Sequence, residues 1–534
     1  MPDESMTENQ ALERLVSDSF ASRLWNRDPS LWPEPSPGGD LTEKTLGWLG
    51  LPLQLSGLGQ QFSSLHDQLV KDDFTDVVVL GMGGSSMTPL VLRDVFKEEL
   101  SGAINIHTLD TVNPTMVSNL ANQLDLEKTL FFVSSKSGTT VETLTLEAYF
   151  RGRLSPSEDL PADRRNWLAL TDPGTPLSER ARAGEFGTWV STPQDVGGRF
   201  SALTPFGMMP AAAIGLGLTK FAESATAMAQ RCNENDVDNP GLVLGAFLAA
   251  NMLAGRDKVT LITSEKYSSL GMWIDQLLAE STGKNGCGLI PVTGEPLLDP
   301  DRYGDDRQFV FFNDEGEEGL DDFASDLGKA GHPVHVIEST DSSPYQVAGE
   351  FFRWQVATAA ASSVLGIYPF NQPDVEAAKV KARELLVAPG IEIEYASLDT
   401  AIDEIKNALP TCYVAIAAFL HESDELTSEF SRLRLAISNI TRLATTFGYG
   451  PRYLHSTGQL YKGGPQNAIV LGFVSGKYDH LAVPGESYTF GELTRAQAGG
   501  DFMVMSEGGQ KVIPIEVGAD PIVDLKTVIQ KLAE

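Results

Sequence analysis

Cysteine is scarce. Cys232, Cys287 and Cys412 are the only three in 534 residues, and they lie far apart. That excludes a disulfide framework and leaves no pair at metal-ligand spacing. Buried thiols in a reducing, cytoplasmic setting are the expectation. Basic residues are also few: 40 Lys and Arg against 72 Asp and Glu give a formal net charge of −32. So acidic a chain argues against nucleic acid and anionic membrane as partners. It does not argue against a small phosphorylated molecule held by local positive groups. No apolar run reaches the ~18 residues of a membrane span, and AFLAANMLAG has the length of a buried core helix. The opening MPDESMTENQALERL is polar and acidic, unlike a secretory leader. Neither a GxxxxGK[ST] loop nor a correctly spaced GxGxxG fingerprint occurs, so the common nucleotide motifs are missing.

What is present is an ordinary globular composition, 42% hydrophobic, in a chain long enough for three or four domains. The most informative stretch is LFFVSSKSGTTVET, residues 130–143. Its apolar start has strand character, its middle is a small turn rich in hydroxyls with one lysine, and its end opens a helix over Val141–Arg151. The first N–H groups of a helix lack internal partners and lie at the positive end of its dipole. A strand that feeds such a turn is therefore a candidate anion cradle. The competing reading is an ordinary Ser/Thr helix cap.

Around this stretch the pattern is α/β. Residues 1–75 read as helices and a Pro-rich connection. Strands are expected at Val77–Leu80, Ile104–Leu109, Leu130–Ser134, Trp167–Leu170 and Trp189–Ser191, and again at Val259–Thr263, Phe309–Asn313 and Val334–Glu338. Near-continuous apolar strands alternating with helices imply parallel sheets covered on both faces. The division expected is 76–235, 236–395 and a C-terminal α/β region, 396–534. In that last region a helix is expected over Thr427–Thr445, strands over Cys412–Leu420 and Ala468–Val474, and a final strand and helix in the tail. The acidic run Asp314–Asp322 reads as a solvated loop. In open parallel sheets ligands bind beyond the C-terminal strand ends, which puts the loops 81–86 and 134–140 at one edge.

Five loops then accumulate in order: GMGGSS at 81–86, SSKSGTTVET at 134–143, VGGRFS at 196–201, QLLAESTGK at 276–284 and NQPDVEAAK at 371–379. The set resembles the phosphoglucose isomerase family of the sugar-isomerase-domain (SIS) superfamily. HSTGQLYKGGP at 455–465 and the early LWNRDPSLWPEP resemble the isomerase half of fused transaldolase/phosphoglucose isomerase proteins. The barrel half of those fusions has no room in about 70 N-terminal residues. The resemblance implies two SIS domains, each a parallel sheet sandwiched by helices. It implies reversible isomerisation of D-glucose 6-phosphate and D-fructose 6-phosphate through a cis-enediolate, without metal or organic cofactor. A homodimer and a functional link to transaldolase are further expectations for its partners.

Site residues follow from the match. Ser85, Ser135, Lys136, Ser137 and Thr140 are implied phosphate contacts and Gly84 an implied substrate contact, and the glycine pair 83–84 suits close backbone approach. Glu280 is the implied base and Gln276 a sugar contact. Their spacing of four places both on one helix face. One carboxylate beside an enediol can serve both carbons, best with its pKa raised by burial. Arg199 is the implied cation at the enediolate. Lys379 and Gln372 are read seven apart on one face of a helix opened by Pro373, with Lys379 near the sugar ring and Gln372 near the phosphate. The chain departs from the usual DQPG of the family through Asn371 and Asp374. It also lacks a histidine about thirty residues after the base, where the family places its ring-opening group. His332 and His335 read as half-buried strand histidines, so His455 is the expected substitute, with Lys462 nearby. Two further readings stand beside this one: a non-catalytic sugar-phosphate regulator on the same domains, and a dual phosphoglucose/phosphomannose isomerase.

Overall fold

The computed structural model describes residues 6–34, 44–100, 104–154, 164–313, 319–339, 343–387 and 393–534. Three parallel sheets organise them. The first holds β1 (Asp76–Gly81), β2 (Asn105–Leu109), β3 (Thr129–Ser134), β4 (Trp167–Thr171) and β5 (Thr188–Ser191), in the order β2-β1-β3-β4-β5. The second holds β6 (Lys258–Thr263), β7 (Ile290–Thr293), β8 (Arg307–Asn313) and β9 (Val334–Glu338), ordered β7-β6-β8-β9. The third holds β10 (Tyr413–Phe419), β11 (Ala444–Tyr449), β12 (Ala468–Ser475) and β13 (Lys511–Val517), ordered β11-β10-β12-β13. In each, the first strand lies between the second and the third, so each sheet has a point where the winding direction changes. On the first sheet that point lies between β1 and β3, which pair with Gly81 opposite Ser134. The two small-residue loops therefore leave the sheet side by side, where an open parallel sheet binds its ligand.

The strands are apolar because helices cover both faces; every residue of β3 is buried. Two helices that are almost wholly buried, Pro240–Leu253 and Val347–Leu365, pack together in an apolar core shared with strands of the first and second sheets. The former starts sharply because Asn239 accepts from the N–H groups of Gly241 and Leu242 while Pro240 opens the first turn. The N-terminal helices join this core. Trp32 Nε1 donates to Ala359 O at 2.9 Å, and Trp48 stacks on Phe200 with centroids 5.3 Å apart.

The third sheet is not a separate appendage. Ala279, Ile290 and Val292 of the second unit share an apolar cluster with Tyr413 and Leu460. Tyr149 and Phe150 of the first share one with Phe490 and Leu493. Between the first and third units, Arg452 donates to buried Asp110 at 2.8 Å and to Glu422 at 2.9 Å.

Several local expectations need correction. The helix expected to run to Thr445 ends at Thr441, and β11 begins at Ala444; Arg442, in left-handed conformation, breaks it. Short β7 and the helix Phe490–Glu507 have weak patterns and go unread. Of the acidic run, 314–318 lie outside the described residues, but Asp321 and Asp322 form the first turn of a helix, Leu320–Lys329, where acids complement the dipole. Pro373 does not open a helix: that helix is Val375–Val387, so Gln372 lies before it. His332 precedes β9 rather than belonging to it, and only His335 lies in the strand.

Arg452→Ala would leave Asp110 buried without its cation. Loss of one partner from a buried ion pair costs about 3 kcal/mol. Chemical unfolding of the variant is expected to show a loss of that size at neutral pH.

Candidate active site

Two glycines set the floor of the site. Gly83 has φ +55°, and a Cβ there would lie 2.7 Å from His455 O. A Cβ on Gly84 would lie 1.9 Å from Gly198 O. The loop after β1 is thus packed backbone-to-backbone against the loop that carries Arg199, and only glycine fits. Ser85 is fixed from behind, its carbonyl accepting from Ser134 Oγ at 3.0 Å.

These loops line a cavity of about 660 Å³ that reaches all three units. Gly84, Ser85, Lys136, Ser137, Thr139 and Thr140 form one end. Gln276 and Glu280 face it from the second unit, Gln372 and Lys379 from the segment that follows, and His455 and Lys462 from the third. Ser135 stands behind the cradle, its hydroxyl 2.9 Å from that of Thr140. Lys136 turns its ammonium to Asp172 and to the carbonyls of Pro193 and Gln194, so its charge is already partnered. Lys379 is 46% exposed at the rim and pairs with Glu376 at 3.3 Å. Lys462 is buried against Asp501 at 2.5 Å.

Helix Ser268–Thr282 carries Glu280. Trp273 and Leu277 are buried in the core and fix its rotation, which leaves Gln276 and Glu280 on the cavity face. Glu280 is only 5% exposed. Burial pushes its carboxyl above the ordinary carboxylate range, against the opposing pull of Arg199. Arg199 Nη1 donates to Glu280 Oε2 at 3.1 Å and to Gln372 Oε1 at 2.6 Å. Its Nε donates to Ser281 Oγ at 2.9 Å, and Nη2 to the carbonyls of Pro369 at 2.5 Å and Asn371 at 3.0 Å. All the N–H groups of a guanidinium are thereby used. Arg199 provides a fixed positive charge behind the carboxylate rather than a free donor. Burial lowers its pKa, while Glu280 raises it.

His455 Nε2 donates to Glu142 Oε1 at 2.9 Å, which also accepts from Gln497 Nε2 at 2.6 Å. Burial would raise the Glu142 pKa, but the charge and hydrogen bond of His455 bring it below the ordinary value. Glu142 escaped the sequence reading although it lies inside SSKSGTTVET. An acid in the first turn of a helix reads as a dipole complement, and only the fold shows a histidine from the third unit beside it. Gln497 and Thr139 carried no signal of their own. No group of three or more His, Cys, Asp or Glu side chains able to hold a metal occurs among the described residues, and none of their helices is long and apolar enough to cross a membrane.

The phosphoglucose isomerase family model matches residues 62–288, which includes the cradle, Arg199 and Glu280. A glucose-6-phosphate isomerase from Prochlorococcus marinus is 26% identical over 455 residues, 75% of this chain and 83% of that protein. Among solved structures, a hypothetical protein from Thermus thermophilus is similar with a TM-score of 0.61 and 26% identity, over 71% of this chain and 97% of that one. A glucose-6-phosphate isomerase from Chlamydia trachomatis shares the fold with a TM-score of 0.51 and 18% identity, over 69% of this chain and 78% of that one. Over residues 62–288, from the cradle to Glu280, the chain is similar to the phosphoglucose isomerase family.

Proposed function

We propose that the protein interconverts D-glucose 6-phosphate and D-fructose 6-phosphate by proton transfer, with Glu280 as the base. The observation that carries this reading is the single cavity joining the hydroxyl cradle of the first unit to a buried carboxylate of the second. The phosphate sits among Ser85, Ser137, Thr139 and Thr140 and the N–H groups at the start of helix Val141–Leu154. That anchoring places the reacting carbons toward Gln276 and Glu280.

The ring opens first. His455, with Nε2 held by Glu142, has its other nitrogen available to take the proton of the anomeric hydroxyl and hand it to the ring oxygen as the bond between C1 and that oxygen breaks. Glu280 then takes the proton from C2 of the open aldose and returns it to C1, while a proton moves from O2 to O1. Negative charge develops on the enediolate oxygens between these steps. The fixed charge of Arg199 stabilises that state more than the neutral sugar, which is the condition for catalysis. Lys379, at the rim, meets the sugar hydroxyls.

Glu280→Gln is expected to lower kcat by about 10²–10⁴-fold in a coupled assay of glucose 6-phosphate formation, with substrate binding retained. In the wild type the base must be ionised, and its folded pKa is raised. Activity is therefore lost as pH falls through that raised value, and the acid limb of the kcat profile should lie above the ordinary Glu pKa of about 4.3.

His455→Ala and Glu142→Ala are each expected to slow turnover of the cyclic sugar about 100-fold, the lower range for a lost acid–base group. Both should spare an open-chain aldose phosphate too short to cyclise. Equal losses on both substrates would remove His455 from ring opening.

A further inference from the structure

Arg199 depends on a strand of chain outside its own unit. Three of its acceptors, Pro369 O, Asn371 O and Gln372 Oε1, lie within four residues of one another. That segment is irregular up to the helix at Val375, so something else must hold it. The holder comes from the third unit. Gln459 is fully buried; its Oε1 accepts from the backbone N–H of Asp374 at 3.0 Å, and its Nε2 donates to Asp374 Oδ2 at 2.6 Å. The same Nε2 donates to Gly283 O at 2.9 Å, at the C-terminal cap of the helix that carries Glu280. The fit is tight on every side. A Cβ on Gly463 would lie 2.2 Å from Asp374 Oδ2, and one on Gly283 would lie 2.5 Å from Leu460 Cα. Asp374 is also one of the two departures from the family pattern in this loop, and its carboxylate is what Gln459 grips.

We infer that Gln459 is a positioning residue of the active site: with Asp374 it clamps the segment 369–374 and the end of the Glu280 helix, and so fixes Arg199 against Glu280. The third α/β unit then acts in the chemistry through this clamp as well as through His455. The inference rests on the proposed roles of Arg199 and Glu280. A loosened clamp leaves the phosphate cradle of the first unit intact, because Gln459 touches none of it. It misplaces the charge that the enediolate needs. Loss should therefore fall on the transition state and not on ground-state binding.

The test compares Gln459→Met, Asp374→Ala, the double variant and Asp374→Asn in the full chain. Three readouts apply: kcat, affinity for an acyclic polyol 6-phosphate that resembles the substrate, and affinity for a five-carbon hydroxamate phosphate that resembles the enediolate. Gln459→Met and Asp374→Ala should each lower kcat at least tenfold and weaken the hydroxamate to match. Polyol phosphate binding should change less than twofold. The double variant should lose no more than the worse single one, since both remove the same contact. Asp374→Asn keeps an acceptor for Gln459 and should recover most of the lost kcat. The inference is overturned by kcat within twofold of wild type in Gln459→Met and Asp374→Ala, by parallel weakening of both ligands, or by multiplying losses in the double variant. Should Gln459→Met fail to fold, the Asp374 pair gives the same reading. A wild type without isomerase activity would instead sink the proposed function itself.

Discussion

The buried pair between Arg199 and Glu280 is the constraint on which the rest depends. Arg199 is 2% exposed and Glu280 5% exposed, and they come from different units, a turn after the first sheet and a helix of the second. Two charges are held out of water only if geometry and extra hydrogen bonds compensate for lost hydration. Here the compensation is distributed: Ser281, Gln372 and two backbone carbonyls complete the shell of Arg199. The result is a carboxylate that is both basic and immobile, facing a cradle on the neighbouring unit. Lys284, two residues beyond Thr282, follows the same logic. It is buried against the carbonyls of Ser281 and Tyr368, and burial, then the nearby Arg199, pushes its pKa well down. It ties the end of the Glu280 helix to the segment that receives Arg199.

The first two units and the cradle were legible because they are written in local chemistry. An apolar β3 breaking into SSKSGTT, and a glycine pair after β1, state their conformations directly. The helix from Ser268 to Thr282 was legible because Gln276, Glu280 and the buried Trp273 and Leu277 follow its period. What was not legible is what comes from far along the chain. His455 meets Glu142 across 313 positions, and Gln459 meets Gly283 across 176. No local pattern encodes such pairings. Lys136 shows the opposite case. Its place in the motif was legible, but the partner Asp172, which takes its charge, follows a different strand.

The third unit changes how the site is built. It repeats the winding of the other two sheets and seats two short helices, Arg452–His455 and Gly458–Gly463, against both of the other units. Arg452 reaches Asp110 of the first unit, while Gln459 reaches the second. Glu142 and Asp374 are both met from this one stretch of the third unit. His455 makes the first contact and Gln459 the second.

The central claim is that a phosphate held on the first unit presents its sugar to Glu280 of the second. A crystal structure with the hydroxamate phosphate bound tests it most directly. The account predicts phosphate oxygens against the hydroxyls of Ser85, Ser137 and Thr140, with the Glu280 carboxylate about 3 Å from the hydroxamate atoms that stand for C1 and C2. A phosphate seated instead at the rim on Lys379, or a hydroxamate out of reach of Glu280, would contradict it.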